Sequence, residues 1–141
     1  MMSKNGRYII AFNGEIYNHK DLRQELNREK KIIWGSYSDT ESLLESISWW
    51  GLDISLKKIK GMFSFALWDK NEHTLYLVRD RFGEKPLYWG INHLENDKNK
   101  RVLVFSSELS GIFNLQGFVK SINFDALNQY FKYGLSLIHI S

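Results

Sequence analysis

The sequence predicts an α+β fold built from antiparallel strands, and three observations carry that expectation. Helical and strand periodicities come in mixed blocks, with no regular alternation of strand and helix, which argues against a doubly wound parallel sheet. In Met62 to Trp68, Phe63, Phe65 and Leu67 alternate with Met62, Ser64, Ala66 and Trp68, so both faces are apolar or small, as in a strand covered on both sides. That segment meets a second strand-like run, Thr74 to Arg79, across the polar connection Asp69 to His73, which reads as a hairpin.

Each element follows in order. Arg7 to Phe12 is β-rich and runs into Asn13-Gly14, a dipeptide that favours positive φ and a sharp reversal. Leu22 and Leu26 lie one helical turn apart on the otherwise charged segment His19 to Lys30, which predicts a short amphipathic helix. Lys31 to Trp34 is expected as a brief strand. Ser38-Asp39-Thr40-Glu41 has the form of a capping box, with Ser38 accepting from the amide three residues on and Glu41 reaching back to the amide of Ser38. Leu43, Leu44, Ile47 and Trp50 then share one helical face up to Gly51, and Asp53 to Lys60 is expected as a shorter helix ending at Gly61. The only proline, in Gly83 to Pro86, marks a turn before Leu87-Tyr88-Trp89. Asn92 to Lys100 is strongly polar and is expected as an exposed loop. Arg101 to Phe105 reads as a strand, Glu108 to Phe113 as a short helix, and Phe124 to Tyr133 as a final helix capped by Asn123.

Composition narrows the function classes. At 141 residues there is room for one core. The net charge of +3 comes from interleaved acids and bases, unlike the massed basic face of a nucleic-acid binder. The chain has no cysteine, so disulfides, thiolate metal sites and cysteine nucleophiles within these residues are excluded. The polar start, Met1 to Arg7, has no signal-peptide character, and the longest uncharged apolar-rich run, Gly61 to Trp68, is too short to cross a bilayer. A cytoplasmic protein without membrane or nucleic-acid partners is expected.

Chemistry concentrates in two places. Asn13 offers a side-chain amide and Gly14 a backbone N–H that no Cβ shields; two such donors aimed at one point hold an oxyanion, though local pattern alone favours a plain turn. Asp39, in the first turn of a capped helix, either stabilises that helix end or stays ionised to bind an ammonium group. Arg79-Asp80-Arg81 suggests an anion site or, alternatively, ion pairs around a tight turn. His19, His73, His93 and His139 show no metal-ligand spacing. Lys57, Lys58 and Lys60 read as a solvated helix face, and Tyr88 and Trp89 as core.

Taken in order, Phe12-Asn13-Gly14-Glu15-Ile16-Tyr17-Asn18, Ser38-Asp39-Thr40-Glu41, Gly61-Met62-Phe63-Ser64-Phe65-Ala66-Leu67-Trp68-Asp69, Arg79-Asp80-Arg81-Phe82-Gly83-Glu84-Lys85-Pro86-Leu87-Tyr88 and Phe105-Ser106-Ser107-Glu108-Leu109 resemble the glutaminase domain of the glutamine-hydrolysing asparagine synthetase family. Other class II amidotransferases share the Asn-Gly and Ser-Asp-Thr-Glu themes; Phe-Gly-Glu-Lys-Pro-Leu-Tyr points to this family. The resemblance covers Met2 to Gly134, so residues 1–134 are expected as a partial glutamine amidotransferase type 2 domain and residues 135–141 as a non-native tail. It implies an N-terminal nucleophile hydrolase αββα sandwich of antiparallel sheets with its first strands missing. It also implies that Asn13 and Gly14 form an oxyanion hole and that Glu15 and Asp39 bind the backbone polar groups of L-glutamine, Asp39 taking the ammonium.

In the family an amino-terminal cysteine attacks the glutamine amide with its own α-amine as base, and ammonia passes to an ATP-dependent domain that turns aspartate into asparagine. Here that cysteine, the upstream arginine loop and a Ser-Gly-Gly-x-Asp-Ser pyrophosphate loop are all absent from the sequence. The chain alone is therefore expected to be inactive, with ATP and Mg2+ belonging to a missing synthetase domain and with self-pairing as a homodimer covering exposed edges. The competing expectations are a stand-alone, non-catalytic glutamine-binding module and the amidotransferase domain of a relative with another acceptor.

Overall fold

The computed structural model describes residues 1–94, 97–115 and 122–134; the expected tail, residues 135–141, lies outside the described residues. The order of elements is β1 (Tyr8–Ile16), α1 (His19–Glu29), α2 (Asp39–Trp50), α3 (Leu52–Lys58), β2 (Gly61–Asp69), β3 (Thr74–Arg79), β4 (Tyr88–Leu94), β5 (Asp97–Ser106), α4 (Leu109–Phe113) and α5 (Phe124–Tyr133). Strands β1, β2 and β3 form one antiparallel sheet in that order, and β4 pairs antiparallel with β5 in a second. The α+β expectation is met. No helix among the described residues is long and apolar enough to cross a membrane.

The core lies between the first sheet and the helical layer. Tyr8, Ile10 and Ile16 of β1 and Phe63, Phe65 and Leu67 of β2 pack against Leu22, Leu43, Leu44 and Ile47 of α1 and α2. Burying one such side chain stabilises by about 1.5–3 kcal/mol, so this cluster dominates the stability of the chain. The helices follow their apolar spacing: Leu22 and Leu26 face inward from α1, and Gly51, at φ 81°, stops α2 where expected. As anticipated, β2 is buried on both faces from Phe63 to Leu67.

Several local expectations are corrected. Asn13-Gly14 makes no reversal: β1 runs through it in unbroken register, with Asn13 opposite Ser64 and Gly14 opposite Phe63. What the glycine provides is close strand approach. A Cβ at Gly14, whose φ is +150°, would lie 2.2 Å from the Met62 carbonyl oxygen, and one at Gly61 would lie 2.1 Å from that of Glu15. Lys31 to Trp34 forms no strand; no neighbouring strand pairs with it, and Trp34 is instead held over the Arg23 guanidinium at 4.1 Å. A simple serine cap, to the amide two residues on, takes the place of the expected capping box. Ser38 Oγ accepts from the Thr40 amide at 3.1 Å, while Glu41 turns away from Ser38 and accepts from Gly35 and Ser36.

The polar stretch Asn92 to Lys100 is mostly strand, since β4 and β5 extend through it on either side of residues 95–96. Pairing between the two strands overrides their polar composition, so hydropathy concealed the hairpin. Tyr88 and Trp89 belong to β4 yet are 38% and 63% exposed, since no helix among the described residues covers them. Lys58 is more than a solvated cation: its ammonium pairs with Glu25 and lies over the Trp50 ring. Around Arg79-Asp80-Arg81 the turn is held by side chain to backbone bonds instead of ion pairs. Arg79 donates to the carbonyls of Gly83 and Lys85, and buried Asp80 accepts from the amides of Phe63, Phe82, Glu84 and Lys85.

Candidate functional site at the edge of the first strand

Side chains along a strand alternate between faces, and its N–H groups alternate between edges. Tyr8, Ile10 and Ile16 face the helices, so Ile9, Ala11, Asn13 and Glu15 point to the opposite, open face. Asn13 and Glu15 are both exposed, and neither side chain has a hydrogen-bond partner among the described residues. The backbone sorts in the same way. Ile10 exchanges both of its hydrogen bonds with Met1 on the edge away from β2 (2.8 Å each), so even-numbered residues direct their N–H groups to that outer edge. Ile16 obeys the rule, donating outward at 2.8 Å to Asp39 Oδ2. Gly14, two residues earlier, therefore aims its N–H along the same outer edge, away from β2.

Asp39 reaches that edge from the helical layer. It opens α2, and its Oδ1 accepts from the Thr40 amide at 2.7 Å. An ionised carboxylate has about four lone-pair sites, so two backbone donors leave acceptor capacity for a further cation. Asp39 thus bridges the start of α2 and the end of β1.

The expected site residues are brought together in part. Asn13, Gly14 and Glu15 are consecutive on β1, and Asp39 is bonded to the residue that follows them. The cavity beside Asn13, however, is lined by none of the other three. Asn13 lines a cavity of about 260 Å3 on the open face with Ala11, Ser64, Leu87, Phe105 and Ser106, which Asp39 does not reach. A strand divides its neighbours between two faces and an edge, where a tight turn would have gathered them. The meeting place is consequently the outer edge of β1.

Sequence reasoning overlooked several residues that shape this edge. Ser64, opposite Asn13, is 2% exposed and keeps the floor beside the asparagine small and polar. The Asn18 side chain ties the end of β1 to the start of β2, donating to the Lys58 carbonyl and accepting from the Lys60 amide at 2.9 and 2.8 Å. Its place at the end of the Asn13 to Asn18 motif was the available signal. Glu41 is buried; burial alone pushes its carboxyl up, but the Gly35 amide, the hydroxyl and amide of Ser36, and Lys4 more than offset this, leaving it at about 2. Asp80 is likewise lowered, with burial opposed by the Lys85, Glu84, Phe63 and Phe82 amides.

Comparison with known proteins gives this arrangement a family. A profile described as a glutamine amidotransferase domain matches residues 1–139. The chain is 40% identical over 126 residues to asparagine synthetase [glutamine-hydrolyzing] 1 of Bacillus subtilis strain 168, covering 89% of this chain and 18% of that protein. It is 34% identical over 133 residues to asparagine synthetase [glutamine-hydrolyzing] 3 of the same organism, covering 94% of this chain and 20% of the relative. The chain thus spans about a fifth of the length of these relatives. Among solved structures, the glutamine phosphoribosylpyrophosphate amidotransferase from B. subtilis, complexed with ADP and GMP, superposes with a TM-score of 0.59. That match covers 80% of this chain and 24% of the other at 24% identity, and it shows that the two share a fold. The chain belongs to the glutamine amidotransferase domain family, and its curated relatives are glutamine-hydrolysing asparagine synthetases.

Proposed function

We propose that this chain holds L-glutamine at the outer edge of β1 and supplies the oxyanion-stabilising half of a glutaminase site. The observation that carries this reading is the Gly14 N–H directed to the same edge as the Ile16 N–H, on which the Asp39 carboxylate sits at 2.8 Å. Asp39 takes the glutamine ammonium, Glu15 assists at its backbone polar groups, and Asn13 Nδ2 with the Gly14 N–H receives the oxyanion that forms when the side-chain amide is attacked. Donors of this kind act mainly on the transition state. Removing one costs about 100- to 1000-fold in rate, with little change in ground-state binding.

The 141 residues contain no cysteine, so the nucleophile is not among them and this chain by itself leaves glutamine intact. In the same reading the ammonia released by the whole enzyme aminates aspartate in an ATP- and Mg2+-dependent step carried by other residues, in the cytoplasm. Calorimetric titration of the chain with L-glutamine, alongside an assay for released glutamate, tests the proposal. Binding that Asp39→Ala abolishes and Asn13→Ala leaves nearly unchanged is expected, with no glutamate formed. Absence of binding, or hydrolysis by the chain alone, would overturn it.

A further inference from the structure

We infer that Arg23 and Glu41 are positioning residues for Asp39: they clamp residues 35–38 so that α2 starts with its first carboxylate against the edge of β1. The inference rests on the glutamine-binding role proposed for Asp39. Arg23, projecting from α1, donates to the Ser36 carbonyl and the Ser38 carbonyl, each at 2.8 Å, and to Ser42 Oγ at 2.6 Å. Glu41, in the first turn of α2, accepts from the Gly35 amide, the Ser36 amide and the Ser36 hydroxyl, all at 2.8 Å. The two side chains face each other at 3.6 Å, Lys4 Nζ adds a contact to Glu41 at 3.3 Å, and the Trp34 ring covers the guanidinium.

Every acceptor and donor on residues 35, 36 and 38 that these groups engage lies immediately before Asp39. Among the described residues, Asp39 itself is held by the backbone amides of Ile16 and Thr40 and by a longer contact to the Thr40 hydroxyl. No side chain from another element among the described residues fixes it, so its position follows from where the helix begins. The Arg23 and Glu41 side chains are only 13% and 9% exposed. In such surroundings charge-assisted bonds are strong and their geometry narrowly set. The planar fork of arginine holds three acceptors at once, which a lysine ammonium does not reproduce.

The test is amide NMR of the full 141-residue chain. The Ile16 amide proton is bonded to the Asp39 carboxylate, so its resonance reports the carboxylate's placement without any ligand. In Arg23→Lys and Glu41→Gln the Ile16 signal is expected to move toward its position in Asp39→Ala, and the dissociation constant for L-glutamine to rise about tenfold, the size of one misplaced charge-assisted bond. Ile112→Val, a mild change at a buried side chain outside the cluster that holds Ile16, lowers stability without moving that signal. An unmoved Ile16 resonance in either folded variant overturns the inference, whether or not glutamine binds. Loss of folding in both variants also overturns it, since a positioning role leaves the fold standing. A moved resonance in a chain that never binds glutamine keeps the positioning role and removes the glutamine reading alone.

Discussion

Gly14 shows how a single backbone position joins fold and chemistry. Its positive φ and the 2.2 Å gap a Cβ would leave to the Met62 oxygen make Gly14→Ala costly, by about 2–4 kcal/mol from strain and overpacking together. A lowered urea midpoint at unchanged slope is the expected readout. Buried Asp80 acts by a different route, since four backbone amides depend on its carboxylate. Glu41 gives the same kind of bond a pH dependence. Its folded value of about 2 lies below its ordinary 4.5, so its contribution is complete above about pH 4.5 and is lost as pH falls through about 2. Asp69, drawn down chiefly by Arg7, and Asp80 act in the same direction. Thermal unfolding followed from pH 7 to pH 2 is expected to show a falling midpoint below pH 4.5, with a shallower fall in Glu41→Gln.

At the level of elements, α2 and α5 make a contrast. Helix α2 buries Leu43, Leu44 and Ile47 against β1 and β2, whereas α5 has no buried residue despite a good Asn123 cap and a Gly134 stop. Both helices were legible in the sequence because caps and stops are local signals; burial depends on what lies opposite. Leu43→Ala is expected to cost about 2–5 kcal/mol, and Phe131→Ala, at a side chain 74% exposed, less than about 0.5 kcal/mol. Chemical denaturation of the two variants side by side checks the difference. The boundaries of β1 and β4 were misread for opposite reasons. Asn13-Gly14 carries a strong turn signal that pairing with β2 overrides, and the polar residues of the β4–β5 hairpin carry a weak strand signal that pairing rescues.

Across the whole molecule the two sheets are unequal. The first has three strands and a helical cover, while β4 and β5 form a two-stranded sheet on which Trp89, Ile91, Leu103 and Phe105 stay 38% to 63% exposed. Two-stranded hairpins are marginal in water without a packed face. Hydrogen exchange is therefore expected to be slowest at Phe65, Ala66 and Leu67 and far faster throughout β4 and β5. The same exposed side chains predict binding of a hydrophobic dye, reduced in the double variant Trp89→Lys, Ile91→Lys.

The sequence by itself determined the class of fold, the helices with their caps, the central buried strand and, through five ordered motifs, the family. These features are local or serial, and a linear pattern of apolar residues, glycines and capping side chains encodes them directly. Tertiary structure alone decided that Asn13-Gly14 lies in a strand, that Glu41 serves the loop before its own helix, and that the Asp39 carboxylate meets the Ile16 amide. Each of these is a contact between segments distant in sequence or a choice between competing hydrogen-bond partners, and such choices are made only when the strands and helices have packed.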